Sequence, residues 1–251
     1  MRLYEGMPIL ERSTAEEYPA WLRQAQQQGA FLLLDKPRGW TSFDAVAFLR
    51  RLLALRRIGH AGTLDPLATG LLILGVGRAT RMLPHFQKLP KTYTTTLKLG
   101  AITETDDAEA PEQPICSSIT IGEEEFRRIL ERFRGTLEQV PPRYSAVKYR
   151  GRRLYELSRA GITVMPQPRT VHIHQLELLR FDPPFVSLQV SCSAGTYIRA
   201  LARDIGMAAG CGAYVLELRR LAIGPYHVEN ALTPEEFARL VSEHARVHQP
   251  H

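Results

Sequence analysis

Gly59-His60-Ala61-Gly62-Thr63-Leu64-Asp65-Pro66-Leu67-Ala68-Thr69-Gly70 sets one carboxylate among glycines and small residues, and runs directly into Leu71-Leu72-Ile73-Leu74. Pro66 steers Asp65 out of the α region toward extended backbone. The glycines allow tight turning and close approach by another surface. The apolar run behind them anchors the loop to a core. An isolated Asp-Pro is ordinary turn chemistry. The surrounding chain lifts this one above that reading.

Upstream, Phe31-Leu32-Leu33-Leu34 has the apolar continuity of a buried strand, stopped by Asp35-Lys36-Pro37-Arg38-Gly39. Thr41 and Asp44 form a capping box that opens an amphipathic helix through about Leu55. Phe43, Val46, Ala47 and Phe48 are expected inward. Residues 1–30 are polar and are expected to be an extension with a short helix, not a separate domain. Downstream, Lys91–Leu99 alternates, with Tyr93, Thr95, Leu97 and Leu99 on one face. Residues 104–112 read as an acidic loop. Thr120 and Glu123 are expected to cap a helix that stops at Gly135. Strands follow at about 171–179, 185–192 and 215–223. A helix begins after Thr196, and a last one is capped by Thr233, Pro234 and Glu236. The mixed order of strands and helices predicts an α+β fold.

The chain has 251 residues, is 44% hydrophobic and carries a net charge of +6. The length suits one large domain or one domain with a small satellite, and the charge permits a polyanionic partner. Cys116, Cys192 and Cys211 are far apart and odd in number, which argues against a disulfide framework and against zinc. Reduced thiols fit a cytoplasmic protein. No run approaches membrane-span length, and the N-terminus lacks a signal-peptide apolar segment. Gly75-Val76-Gly77 lacks the rest of a dinucleotide fingerprint. No lysine follows glycines as in a phosphate-binding loop, the eight histidines form no HExxH, and Ser191-Cys192-Ser193 lacks the glycine of a nucleophile elbow.

Arg199 lies in the first turn of its helix, where a cation opposes the macrodipole. Either it is a surface arginine, as Arg203 one turn on would be, or it faces a cleft and pairs with a carboxylate, which would hold Asp65 ionised. Tyr93, Tyr197 and Leu218 read as core residues unless they line a cleft, where an aromatic stacks on a planar ligand. His60 reads as a loop residue, and Asp106 and Asp107 as solvated loop acids. Residues 143–155 interleave Arg143, Lys148, Arg150, Arg152 and Arg153 with Tyr144 and Tyr155, a pattern that suits phosphates and bases together.

In order, Leu-Asp-Lys-Pro at 34–37, the Asp65 stretch at 59–70, Lys-Thr-Tyr at 91–93, Pro-Pro-Arg-Tyr-Ser-Ala-Val-Lys at 141–148, Gly-Thr-Tyr-Ile-Arg-Ala-Leu-Ala at 195–202 and Leu-Arg-Arg at 218–220 resemble the TruB family of tRNA pseudouridine synthases. The resemblance covers about residues 31–230. It implies a mixed, largely antiparallel central sheet flanked by helices, with an inserted thumb-like RNA-binding loop at about 140–163. It implies isomerisation of uridine 55 in the T loop of tRNA, with no cofactor, no metal and no guide RNA. Asp65 matches the catalytic aspartate, Tyr93 the tyrosine stacked on the flipped base, and Arg199 the arginine paired with the aspartate. His60 matches a histidine that holds the T loop open. Tyr197, Asp107 and Leu218 match residues lining the uracil pocket, and Lys36 of the first motif joins the expected substrate-binding set. Residues 231–251 are expected to be a helix and tail in place of the RNA-binding PUA domain of many members. A monomer is the expected state. A tRNA-binding or folding protein without catalysis, a glycoside-cleaving enzyme pairing Asp65 with Asp107, and a guide-RNA-dependent relative are the competing readings.

Overall fold

The structure, a computed structural model, describes residues 2–144, 148–149, 152–153 and 166–247. The chain forms two compact units, Met1–Lys91 with Arg219–His251, and Thr92–Leu218.

In the first unit the strands lie in the order β1 (Arg2–Tyr4), β2 (Met7–Leu10), β3 (Ala30–Lys36), β5 (Thr69–Val76) and the end of β14 (Ala213–Ile223), with β4 (Ile58–His60) also on β5. β3 and β5 are antiparallel, in register from Ala30 opposite Val76 to Lys36 opposite Gly70. Both are apolar at successive positions because both faces are covered. Leu32, Leu34, Leu72 and Leu74 pack with Trp21, Val46, Leu49 and Phe237. Phe31, Leu33, Leu71 and Ile73 pack with Leu83, Phe86, Ile223 and Tyr226 on the other side. A one-residue slip would exchange the two sets, so burial fixes the register.

Residues before Phe31 are more than an extension. β2 pairs in parallel with β3, Ile9 opposite Phe31 and Leu10 opposite Leu32. From helix α1 (Tyr18–Gln27), Trp21 is fully buried and its Nε1 donates to the Phe31 carbonyl at 2.7 Å. Helix α2 (Ser42–Leu53) opens with the expected box: Asp44 N donates to Thr41 Oγ1 at 3.0 Å, and Thr41 N to the Asp44 carboxylate at 2.8 Å. Its buried face runs through Ser42, Ala45, Val46, Leu49 and Leu53. Phe43 is therefore 63% exposed, and Ala47 is exposed too, against expectation. The helical period puts them off the stripe. The same reciprocal cap joins Thr233 and Glu236 before the C-terminal helix Pro234–Val247.

In the second unit the order is β14, β6 (Lys91–Leu99), β13 (Phe185–Cys192), β12 (Arg169–Asp182) and β9 (Gly135–Gln139). Every second residue of β6 is buried, Tyr93, Thr95, Leu97 and Leu99 among them, as the alternation predicts. Helices α4 (Glu123–Glu131) and α5 (Ile198–Ala208) belong to this unit. α4 begins at Gly122 without a side-chain cap, so the expected Thr120 cap does not form; its three leading glutamates favour the helix N-terminus instead. The sheet is mixed and largely antiparallel, with parallel pairing at β2–β3 and β5–β14.

Candidate active site

Asp65 sits in the loop between β4 and β5, and that loop is fixed along its length. Ala61 N donates to the Ile73 carbonyl at 2.8 Å, and Ala68 N to the Asp65 carbonyl at 3.0 Å. Ser42 of α2 clamps Leu64: its Oγ accepts from Leu64 N at 2.8 Å and donates to the Leu64 carbonyl at 3.3 Å. Gly39 N donates to the Pro66 carbonyl at 2.8 Å. Ala61, Leu64, Leu67 and Ala68 are buried, while Asp65 is only half-buried. The apolar neighbours hold the backbone down and leave Asp65 partly accessible, two residues from the exposed Thr63.

Beneath the loop lies Arg220, 1% exposed. Its Nε donates to the Leu71 carbonyl at 2.7 Å and its Nη2 to the Gly62 carbonyl at 3.3 Å, so one guanidinium ties both ends of the Asp65 segment. Gly70 is required here. Its φ is +104°, and a Cβ would lie 2.3 Å from the Arg220 carbonyl oxygen and 2.7 Å from its nitrogen. Strand alternation sends the adjacent Arg219 the other way. There it makes a two-pronged pair with Asp35, at 3.0 and 2.7 Å, and donates to Thr69 Oγ1 at 3.3 Å. Lys36 is fully buried, with its ammonium on the carbonyls of Pro37 at 3.0 Å and Trp40 at 2.5 Å. It shapes the turn that carries Gly39 to Pro66. His60 ends β4 opposite Leu74 and lines an open groove of about 530 Å³ with Arg50 and Arg57.

The second unit gathers Arg199, Asp107, Tyr144 and Tyr197. Arg199 is 5% exposed and not a surface arginine. It pairs with Asp107 at 3.5 Å and donates to the carbonyls of Thr105 at 2.9 Å and Tyr144 at 3.0 Å. Asp107 is 1% exposed, not solvated as its acidic surroundings suggested. Its Oδ1 accepts from Thr105 Oγ1 at 2.6 Å and Glu109 N at 3.0 Å. Arg203 is pinned as well, donating to Asp106 at 3.0 Å, Asp204 at 3.0 Å and the Val140 carbonyl at 2.9 Å. Burial pushes the carboxyls of Asp106 and Asp204 up, against the opposing pull of Arg203. Tyr93 and Leu218 are each 8% exposed, on β6 and β14.

Tyr197 caps α5, and its backbone is gripped by Gln139, a side chain that sequence reasoning missed. Gln139 is 2% exposed; Tyr197 N donates to its Oε1 at 2.8 Å, and its Nε2 donates to the Tyr197 carbonyl at 3.0 Å. The Arg169 guanidinium lies over the Tyr197 ring, 5.5 Å from its centroid. Nothing in Gln139-Val140-Pro141 signals this clamp, since it forms only when β9 is laid beside the start of α5. Arg220 was missed too, quoted only within the 218–220 motif; the available signal is that of two adjacent arginines on a strand one faces each way.

Of the interleaved basic segment, Arg143 is exposed, and Tyr144 donates its hydroxyl to Glu104 at 2.7 Å. A short hairpin pairs Lys148–Tyr149 with Arg152–Arg153. Arg150 and Tyr155 lie outside the described residues, as do the side chains of Lys148, Arg152 and Arg153. Among the described residues no cluster of His, Cys, Asp and Glu is arranged to hold a metal, and no helix is long and apolar enough to cross a membrane.

The chain matches two family models, the TruB family pseudouridylate synthase N-terminal domain over residues 50–198 and the tRNA pseudouridylate synthase B C-terminal domain over 199–249. The likeness thus continues past Asn230, where the resemblance in the motifs ended. A tRNA pseudouridine synthase B of Pseudomonas paraeruginosa is 46% identical over 84% of this chain and 69% of its own length. One from Parabacteroides distasonis is 44% identical over 83% and 91%. Among solved structures, a chain of a Cbf5–Nop10–Gar1 complex is 30% identical with a TM-score of 0.68; the match covers 87% of this chain and 56% of that one. A chain of an H/ACA ribonucleoprotein bound to a substrate RNA containing 2′-deoxyuridine gives 26% identity and 0.68. This chain spans just over half the length of those two solved chains.

Proposed function

The chain belongs to the TruB family of pseudouridylate synthases, and from that premise we propose that it converts uridine 55 in the T loop of tRNA to pseudouridine. The observation that carries the chemistry is the Asp65 loop. A single half-buried carboxylate stands on backbone that Arg220, Ser42 and Gly70 hold rigid. Preorganised placement of this kind is worth several kcal/mol of barrier.

The reaction breaks the N1–C1′ bond of uridine, turns the uracil and forms a C5–C1′ bond. C5 loses a proton and N1 gains one. Nothing is oxidised and no atom is imported, so the reaction needs no cofactor. Asp65 drives cleavage of the glycosidic bond and is regenerated. The uridine must leave its stack to reach Asp65. Tyr93 stacks on the flipped base, and Arg199 is held in place by Asp107 and two carbonyls. Tyr197, Asp107 and Leu218 line the uracil pocket, and His60 holds the T loop open. Lys36 acts through the turn it shapes. The cationic segment from Arg143 through Arg153 to Tyr155 supplies charge and aromatic rings for binding the T arm. The protein works as a monomer in the cytoplasm without a guide RNA. In support, identity is higher to the relatives named tRNA pseudouridine synthase B, at 46%, than to the chain of the Cbf5–Nop10–Gar1 complex, at 30%.

The test maps pseudouridine in an unmodified tRNA transcript after incubation with the protein, by carbodiimide adduct formation and reverse-transcription stops. A single new stop assigned to position 55 is expected. A stop elsewhere, or none, contradicts the assignment.

A further inference from the structure

Between Asp44 and Glu104 the chain carries nine lysines and arginines and one acid, and that acid is Asp65. Six of the nine are Arg50, Arg51, Arg56, Arg57, Arg78 and Arg81, all in the first unit. Five are exposed and Arg50 is half-buried. None of the six makes an ion pair among the described residues. Elsewhere five exposed arginines, Arg12, Arg127, Arg128, Arg180 and Arg239, are each paired with a carboxylate, while Arg23, Arg38, Arg132 and Arg246 are scattered singly and exposed without an ion pair among the described residues.

Helix stability accounts for two of the six. Arg50 and Arg51 close the last turn of α2, where cations complement the dipole, and Arg50 donates to the Ile58 carbonyl at 3.1 Å. It does not account for Arg56 and Arg57, which lie beyond the left-handed cap at Ala54. Arg57 is oriented: its Nε donates to Thr80 Oγ1 at 2.9 Å, and Thr80 Oγ1 in turn donates to the Gly77 carbonyl at 2.8 Å. Spent on one hydrogen bond through Nε, this guanidinium keeps its two-pronged Nη edge for another partner. Arg50 forms a wall shared by two open grooves. One, of about 530 Å³, runs from Arg57 and Thr80 to His60. The other, of about 500 Å³, is bounded by Arg56. Unpaired guanidinium groups along an open groove suit a row of phosphates, and arginine suits phosphate better than a neutral ligand.

We propose that these two grooves, walled by Arg50, Arg56 and Arg57, hold the phosphate backbone of the RNA stem next to the target loop. This second anchor belongs to the first unit and is separate from the basic segment at 143–155. The identity of the stem as the tRNA T arm rests on the function proposed above; the phosphate-binding chemistry does not. With an anchor at His60, the RNA would be fixed on the side of the loop that carries Asp65.

The test measures binding of a T-arm hairpin across a salt series for wild type, Arg56→Gln/Arg57→Gln, and the charge-matched control Arg127→Gln/Arg128→Gln on α4. Each lost phosphate contact removes about 0.7–0.9 from the log–log salt slope. The groove variant should therefore lose about 1.5 in slope and bind roughly ten- to fifty-fold more weakly near 0.1 M salt. The control should change little. Both variants remove two exposed arginines, and thermal unfolding checks that each is folded. Equal effects in the two variants, or an unchanged slope in the groove variant, would overturn the proposal. The same samples are assayed for pseudouridine. Loss of hairpin binding in the groove variant with no pseudouridine from wild type would leave the groove standing and remove the proposed reaction. Pseudouridine from wild type with an unchanged groove variant would do the reverse.

Discussion

Replacing Arg220 with leucine should damage both stability and catalysis, and the structure indicates by how much. The arginine is 1% exposed and bonds the carbonyls of Leu71 and Gly62, on either side of Asp65. A hydrogen bond from a charged donor contributes about 1.5–3 kcal/mol, so removing two costs about 3–6 kcal/mol. Leucine recovers part of that, because a buried guanidinium carries a desolvation penalty of several kcal/mol. A net loss of about 2–4 kcal/mol follows. The functional loss should be larger in proportion. With the Gly62 end released, the loop keeps its Ser42 and Gly39 ties but loses the support beneath it, and a displacement near 1 Å costs about 100-fold in rate. Urea unfolding measures the first quantity, and turnover at saturating tRNA the second. A variant within about 0.5 kcal/mol of wild type and with its turnover intact would refute the view that Arg220 is the post beneath the loop.

Three further outcomes follow from the same geometry. Gly70→Ala should cost more than about 4 kcal/mol, since strained φ and contact with the Arg220 backbone combine; Gly6→Ala, at φ +76° with nothing within 4 Å, should cost only about 1–2 kcal/mol, and equal losses in urea titrations would contradict this. Gln139→Leu leaves Tyr197 N unpaired, a loss of about 1–3 kcal/mol; kcat/KM for tRNA should drop about ten-fold or more as Tyr197 shifts, and an unchanged kcat/KM would separate the clamp from function. The caps also give a pH dependence. Hydrogen bonds from the Thr41 side chain and backbone hold Asp44 below the usual carboxylate range, and the Thr233 backbone, with Arg12, does the same for Glu236. Their contribution is complete above about pH 4–4.5 and is lost as pH falls through the lowered values. Asp44→Asn/Glu236→Gln should therefore flatten the acid limb of stability against pH, and an unaltered limb would count against the caps.

Much of the frame around the candidate site was readable from the sequence because it is local. The Asp65 loop, both capping boxes, the alternation of β6 and the paired apolar strands each depend on neighbours a few residues apart. What escaped depends on chain segments that meet only after folding. Gln139 reaches Tyr197 across 58 positions, and Arg203 is half-buried because Asp106 and the Val140 carbonyl come to it. Asp107 looked solvated in its acidic run, yet Thr105, Glu109 N and Arg199 supply enough donors to bury it. Phe43 misled because it lies near the apolar stripe of α2 in sequence but not on it in angle. The strands before Phe31 were missed because three- and four-residue strands carry too little pattern to register.

The central claim is that Asp65 performs uridine isomerisation, and tritium release tests it most directly. A tRNA transcript labelled at uridine C5 is incubated with wild type and with Asp65→Asn. Release by wild type, none by the variant, and equal tRNA binding by both is the predicted result. Release by Asp65→Asn at a rate near that of wild type would contradict the account.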